Sequence, residues 1–172
     1  MIAEFNDIFP LKELCSVEIS DRHKFAYDDE ASKKGIFVSG NEIYHVHLEN
    51  AMNENYHFVQ NDNCVMLSEK NGQCDFVVFN SNKINFIEIK ATKDNRANHR
   101  KKIYKQLENT FKQYKEFLEN FDHKEALAVF ESVNPRGYTK RKVPQSSASE
   151  KKVLFKLKYN IDLFEGNYIL FD

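Results

Sequence analysis

Two apolar runs joined by a very short link limit this fold more than any other feature of the sequence. Residues 74–80 (CDFVVFN) and 84–91 (INFIEIKA) are separated by Ser81-Asn82-Lys83. β-Branched and aromatic residues fill both runs, so each reads as a strand and the link as a tight antiparallel hairpin. With Asn80 and Lys83 closing a two-residue loop, Asp75 lies directly opposite Glu88. Opposed residues share a sheet face, as do residues two apart on one strand. Asp75, Glu88 and Lys90 would then project from one face, while Phe76, Val78, Ile87 and Ile89 point from the other into the core. A three-residue loop would shift the register by one and break the arrangement.

Two carboxylates facing each other across a sheet are unfavourable by roughly 0.2–1 kcal/mol, and by more when dehydrated. Something has to offset that repulsion. Lys90 alone would make a structural ion pair. A divalent cation is the other solution, since Mg²⁺ takes one or two carboxylates together with waters and phosphate oxygens. Bound there, it would polarise a phosphoryl group and acidify a water. A neighbouring lysine would orient or deprotonate that water, or stabilise the developing charge.

The rest of the pattern frames the hairpin. Residues 1–40 carry little signal beyond a short helix near 11–17 and a polar stretch with Asp28-Asp29-Glu30. Gly40-Asn41 would cap a helix over 41–54, with Ile43, His47, Ala51 and Tyr44, Leu48, Met52 on adjacent i,i+4 rows. Residues 56–60 and 64–68 read as strands around the turn-former Asn61-Asp62-Asn63, with another turn at 69–72. A long helix comes after the hairpin, over 99–121, where Ile103, Leu107, Phe111, Tyr114, Leu118 and Phe121 make one apolar stripe. A strand at 126–132 and a basic loop at 135–146 come next. Ser147-x-x-Glu150 would box the start of a helix reaching 159, and 168–171 reads as a last strand. This order describes an α/β domain with a mixed central sheet.

Gly72-Gln73-Cys74-Asp75, followed by Phe86-Ile87-Glu88-Ile89-Lys90-Ala91-Thr92, resembles the signature of the PD-(D/E)XK nuclease superfamily, the restriction-endonuclease-like and Holliday-junction-resolvase-like enzymes. Cys74 stands where the family name has proline. The resemblance implies a core of helix, three-stranded meander, helix and strand over residues 41–132. An N-terminal extension (1–40) would precede it, and a basic loop with a C-terminal helix and strand (133–172) would pack on the same domain. The same resemblance implies an Mg²⁺- or Mn²⁺-dependent endonuclease that hydrolyses phosphodiester bonds. Asp75, Glu88 and the backbone carbonyl of Ile89 would bind the metal, and Lys90 would stand near the attacking water. Many members add a glutamate on the first helix: Glu42 is the choice here, as a supporting catalytic acid and ligand, and Glu49 the competitor. His45, three residues from Glu42, is a further candidate, because some cap-snatching viral endonucleases of this superfamily use a helix histidine. Gln106, on the helix after the hairpin, would touch the phosphate or the metal-bound water. The Gln-x-x-x-Tyr pattern of the RecB-like branch is absent.

A net charge of −1 conceals an asymmetry that bears on partners. Residues 1–89 carry 7 Lys/Arg against 15 Asp/Glu, and residues 90–172 carry 18 against 11. A basic pole of this kind is what a polyanion approaches. Lys90, Lys93, Arg96, Arg100, Lys101, Lys102 and Lys105 form one basic stretch beginning at the candidate site. Arg136, Lys140, Arg141 and Lys142 lie in another. Both are candidate nucleic-acid contacts, with DNA placed ahead of RNA. A solvated lysine-rich helix and a mobile surface loop would account for the same residues.

Length and composition set the outer bounds. The chain's 172 residues suit one domain, and 41% hydrophobic with 13% aromatic residues excludes global disorder. Apolar runs stop at five residues, far short of a membrane span. MIAEFNDIF has no basic flank ahead of an apolar stretch, so no export signal is expected. Cys15, Cys64 and Cys74 have no paired spacing, so neither a disulfide framework nor a zinc site is expected, and the cytoplasm is the default location. A homodimer or a larger complex with a separate protein is compatible with the sequence. Two rival functions share the fold: a nucleic-acid-binding module without turnover, and a protein-interaction subunit in which Glu88 and Lys90 form a plain ion pair.

Overall fold

Asn80 builds the hairpin. Its backbone N–H donates to the Lys83 carbonyl at 3.0 Å. Its side-chain Oδ1 accepts from the N–H groups of Asn82 and Lys83, at 3.0 and 2.8 Å. The loop is thus two residues long, Phe76 pairs with Ile87 and Val78 with Asn85, and the expected register is the observed one. The structure is a computed structural model that describes residues 1–10, 13–66, 72–91, 96–137, 139–144 and 149–172.

The described elements run α1 (Ile2–Ile8), β1 (Ser16–Ile19), β2 (His23–Asp29), β3 (Lys34–Val38), β4 (Val46–Asn50), β5 (Tyr56–Gln60), β6 (Phe76–Phe79), β7 (Lys83–Ile89), α2 (Arg96–Gln113), α3 (Lys115–Leu118), β8 (His123–Val129), β9 (Lys142–Pro144), α4 (Ser149–Tyr159), β10 (Asp162–Gly166) and β11 (Tyr168–Phe171). A seven-stranded sheet has the order β1-β5-β6-β7-β8-β10-β9, and a four-stranded sheet the order β11-β4-β2-β3. The first is antiparallel through β7, parallel from β7 through β8 to β10, and antiparallel again at β9. The second pairs β11 parallel to β4, and β4, β2 and β3 antiparallel. Both sheets are therefore mixed, in a mixed α/β protein.

The two faces of the hairpin feed separate cores. Val77, Phe79, Ile84 and Phe86 pack beneath the helices with Phe5, Ile103, Leu107, Phe111 and Phe155. Phe76, Val78, Ile87 and Ile89 pack against the four-stranded sheet with Ala26, Val46, Leu48, Ile169 and Phe171. Helices, long sheet and short sheet make three layers. The middle layer is covered on both faces, which is why its strands are unbroken apolar runs and not alternating ones. The meander β5-β6-β7, the helix α2 and the strand β8 follow one another in the expected order.

The helix expected over 41–54 is not there. Asn41 and Glu42 stand in a turn, and Val46–Asn50 is strand β4. Val46, Leu48 and Asn50 face inward with period two, and pairing with β2 and β11 satisfies the strand's backbone. Those partners are distant in sequence, so the i,i+4 rows are a misleading period. Among the described residues, the helix before the meander is α1. The short helix expected near 11–17 is instead a 3₁₀ turn at Glu13–Cys15 leading into β1. The long helix bends at Tyr114, where α2 gives way to α3, though every member of its stripe is buried. Strands β9 and β10 have no counterpart in the expected order. The strand expected at 64–68 begins as a turn through Met66, and its remainder, like the turn at 69–71 and Ser147 of the capping box, lies outside the described residues.

The cysteine expectation is also overturned. Cys15 and Cys64 form a disulfide, and Cys74 is free and buried. Pairing of β1 with β5 brings the residue before β1 beside the turn that follows β5. Spacing in sequence carries no trace of that proximity.

Candidate active site

The segment entering β6 is held from two sides. Asn61, after β5, donates from Nδ2 to the Cys74 carbonyl at 2.9 Å, and its backbone N–H donates to the Asp75 carbonyl at 2.9 Å. Buried Tyr114 donates its hydroxyl to Asn61 Oδ1 at 2.9 Å. From α2, Gln106 donates to the Gln73 carbonyl at 3.0 Å, and Thr110 Oγ1 accepts the Cys74 N–H at 2.9 Å. Gly72 has φ +60°, and a Cβ there would meet Gln106 Cγ at 2.9 Å, so the turn requires glycine. Gln106 thus spends its amide on positioning the chain ahead of Asp75.

Asp75 is buried just before β6 and faces the C-terminal end of β7. Its Oδ2 accepts the Ile89 N–H at 2.7 Å. Glu88 is fully buried. Lys90 Nζ lies 2.5 Å from Glu88 Oε1 and donates to the Ile89 carbonyl at 3.0 Å, while its backbone N–H donates to Val129 of β8 at 2.8 Å. The Glu88 contact is an ion pair out of hydrogen-bond alignment, and Glu88 Oε2 has no hydrogen-bond partner among the described residues. The hairpin and the parallel β7–β8 pair therefore bring Asp75, Glu88, Ile89 and Lys90 together.

Two acids that sequence reasoning does not single out join them. Asp28, the residue before the last of β2, lies on the same face as fully buried Ala26, directed at the long sheet. Asp62 follows Asn61, and its Oδ1 is buried without a hydrogen-bond partner among the described residues. The one sequence signal for Asp28 is the alternation in HKFAYDD, short and polar enough to pass for a loop.

Among the described residues, Asp28, Asp62, Asp75 and Glu88 share the surroundings of the Lys90 ammonium. Burial pushes the Asp75 carboxyl up to about 7, against the pull of Lys90, with Asp28 adding to the rise. Burial and then Asp75 push Glu88 well above the ordinary carboxylate range. Asp28 is raised by burial, partly offset by Lys90. Burial opposes the charge on Lys90, but Glu88 and Asp75 outweigh it and hold the lysine above its ordinary value. A buried carboxylate oxygen without a partner needs an explanation, and a hard divalent cation supplies one. Asp75, Glu88 and the Ile89 carbonyl are an all-oxygen donor set that fits such an ion. Lys90 Nζ, touching both Glu88 and Ile89, is the cation that two of these three donors hold in the structure. No three carboxylates here bring ligand oxygens within 4.8 Å of one another among the described residues, so waters or phosphate oxygens would complete the shell.

Ile89 and Lys90 line a cleft of about 510 Å³ with Tyr27, Asp28, His45 and His99 among others, while Asp75 and Glu88 lie behind its wall. His45 immediately precedes β4 and is not on a helix; its backbone N–H donates to the Ala26 carbonyl of β2 at 2.9 Å. It stacks on Tyr27 at 4.5 Å, and its Nδ1 accepts the Asp28 N–H at 3.0 Å. Burial lowers its pKa to about 4, keeping it neutral. Glu42 is exposed and accepts the Ser39 N–H at 2.8 Å in its turn. Glu49 sits on β4 with Lys140 and Tyr168 on its Oε2. Neither lines this cleft.

The basic residues divide between the two ends of the long sheet. Arg96 pairs with Glu131, and Arg100 grips Glu165 with contacts of 2.8 and 3.3 Å. Lys101, Lys102 and Lys105 are exposed on α2, and Lys93 lies outside the described residues. Arg141 neighbours Arg96 and Glu165, and Arg136 is exposed in the 3₁₀ turn Pro135–Gly137. Lys142 pairs with Glu125, which also meets Lys83. That group lies at the start of β7, about 20 Å from its Ile89 end at 3.3 Å per residue.

The nuclease-related domain family, NERD, matches residues 36–144. The chain belongs to this family of PD-(D/E)XK-type nuclease domains. The match spans β3 through β9 and so contains the hairpin, Asp75, Glu88, Lys90 and α2, while Asp28 precedes it. NERD membership indicates a nuclease-like function, and with it a divalent metal and a nucleic-acid substrate as the expected chemistry. No curated protein and no solved structure matches the chain. Among the described residues, no helix is long and apolar enough to cross a membrane.

Proposed function

We propose that this NERD domain is a divalent-metal-dependent endonuclease, hydrolysing phosphodiester bonds of nucleic acid in the cleft beside Lys90. The observation that carries the reading is the fully buried Glu88, opposite Asp75, with one carboxylate oxygen unpartnered. A fold held only for stability would gain from replacing such a group by an apolar one. Asp75, Glu88 and the Ile89 carbonyl would hold Mg²⁺ or Mn²⁺, which supplies charge neutralisation at the phosphate and a more acidic water.

The chain's own groups do the remainder. Asp75 is fixed by the Ile89 N–H, and the clamp from Asn61, Gln106 and Thr110 holds the backbone ahead of it. Glu88 and Asp75 hold Lys90 above its ordinary pKa in the metal-free protein, and beside the attacking water it would orient that water or stabilise the phosphorane charge. Asp28 and Asp62 deepen the negative potential that draws a cation in. The exposed lysines of α2, at the cleft end of the sheet, would meet the flanking phosphates. The Glu88–Lys90 ion pair favours a non-catalytic reading of the same fold, but it leaves Glu88 Oε2 unexplained.

The test is incubation of the purified protein with Mg²⁺ or Mn²⁺ and single- or double-stranded DNA and RNA, beside Glu88→Ala and Lys90→Ala. Metal-dependent cleavage by wild type, abolished in both variants, is the expected outcome. Cleavage that survives both substitutions would remove these residues from the active site.

A further inference from the structure

A second cluster lies on the short sheet, away from the cleft. His23 on β2 pairs directly with Glu49 on β4, and His47 is two residues before Glu49. Ala26, Val46 and Leu48 fill the inner face of these strands, so the three side chains share the outer one. His23 Nδ1 and His47 Nε2 stand 3.1 Å apart. One ligand atom from each of His23, His47 and Glu49 lies within 4.8 Å of the others, and no other group of three or more His, Cys, Asp or Glu meets that condition among the described residues. Two nitrogens bound to tetrahedral zinc at about 2.0 Å are themselves about 3.3 Å apart, close to the spacing already present.

The surroundings hold the cluster in place. Phe25 stacks on the His47 ring at 4.6 Å, and Tyr168 meets it edge-on at 5.5 Å. Tyr168 donates its hydroxyl to Glu49 Oε2 at 2.8 Å, and Lys140 pairs with the same oxygen. A ligating carboxylate is commonly held in this way by outer hydrogen bonds. His47 is 4% exposed while His23 is exposed, so one side of the cluster faces water.

We propose that His23, His47 and Glu49 form a second metal site, taking a Zn²⁺-type transition-metal ion through two imidazole nitrogens and one carboxylate oxygen, with water as the fourth ligand. Imidazole donors select such an ion over Mg²⁺, which keeps to oxygen. The site is distinct from the nuclease centre: His23 and Asp28 lie at opposite ends of β2, about 17 Å apart along the strand. An ion there would tie β2 and β4 together beside β11 and the Lys140 segment.

Calorimetric titration of the metal-free protein with Zn²⁺ tests this, in wild type, Glu88→Gln and His23→Gln. His23 is exposed, so its substitution leaves the core intact, and circular dichroism checks that. Wild type and Glu88→Gln are expected to share a site that His23→Gln weakens by about tenfold or more, since even outer-shell losses cost that much. Visible absorption of the Co²⁺-loaded protein should change in His23→Gln and persist in Glu88→Gln. Zn²⁺ affinity and Co²⁺ spectrum unchanged by His23→Gln would overturn the proposal, as would no Zn²⁺ binding by wild type.

Discussion

Asp75 is held by its neighbours in a state it would not choose in water. Its folded pKa of about 7 lies above the unfolded 3.8, so between those values the folded state binds the extra proton. Asp75's contribution to the stability of the metal-free protein should therefore fall as pH rises from 4 to 7 and level off above. The buried neutral His45 and His47, lowered to about 4, contribute in the opposite sense between 4 and 6.5. Asp75→Asn keeps an oxygen for the Ile89 N–H and removes the titration. Denaturant unfolding should find this variant more stable than wild type at pH 8, by about 2–4 kcal/mol at 1.36 kcal/mol per unit, and no different near pH 4. Equal pH profiles would contradict the burial argument. The closeness of Asp75, Glu88 and Lys90 is legible in the sequence because a two-residue loop fixes its own register. Asp28 and Asp62 are not, since what brings them in is the packing of a second sheet and a turn, neither of which has a local pattern.

At the scale of elements, α2 acts as a clamp on the strand that presents Asp75. Gln106→Ala removes one hydrogen bond to the Gln73 carbonyl, and should cost about 1 kcal/mol in unfolding measurements. If the residue positions Asp75, cleavage kcat should drop several-fold while KM for nucleic acid and its salt dependence stay fixed. A phosphate contact would instead raise KM and flatten the salt dependence. The hairpin, α2 and β8 are readable from sequence because each closes or patterns itself within a few residues. Strand β4 is misread for the opposite reason, as its backbone partners lie far away in β2 and β11.

For the whole molecule, charge and cross-linking give separate expectations. Lys101, Lys102 and Lys105 are exposed on the helix that follows the site, whereas Lys140 and Lys142 are bound to Glu49 and Glu125. A triple alanine variant of the α2 lysines should reduce the salt slope of nucleic-acid binding, by up to about 0.9 for each phosphate that is no longer neutralised. Lys142→Ala should leave that slope unchanged. The charge split seen in the sequence thus does not translate into one basic face. The Cys15–Cys64 disulfide closes a loop with a sequence separation of 49, and its reduction should lower unfolding stability by about 2–4 kcal/mol. A reducing cytosol would keep that pair open, so the stability of the reduced protein is the one that a cytoplasmic location would set.

The buried Asp75–Glu88 pair is read here as a holder for a divalent cation. Calorimetric titration of the metal-free protein with Mn²⁺ at pH 8 measures this directly, in wild type, Glu88→Gln and His23→Gln. One Mn²⁺ bound by wild type, with affinity abolished in Glu88→Gln and retained in His23→Gln, is the expected result. Equal Mn²⁺ binding by wild type and Glu88→Gln would contradict it.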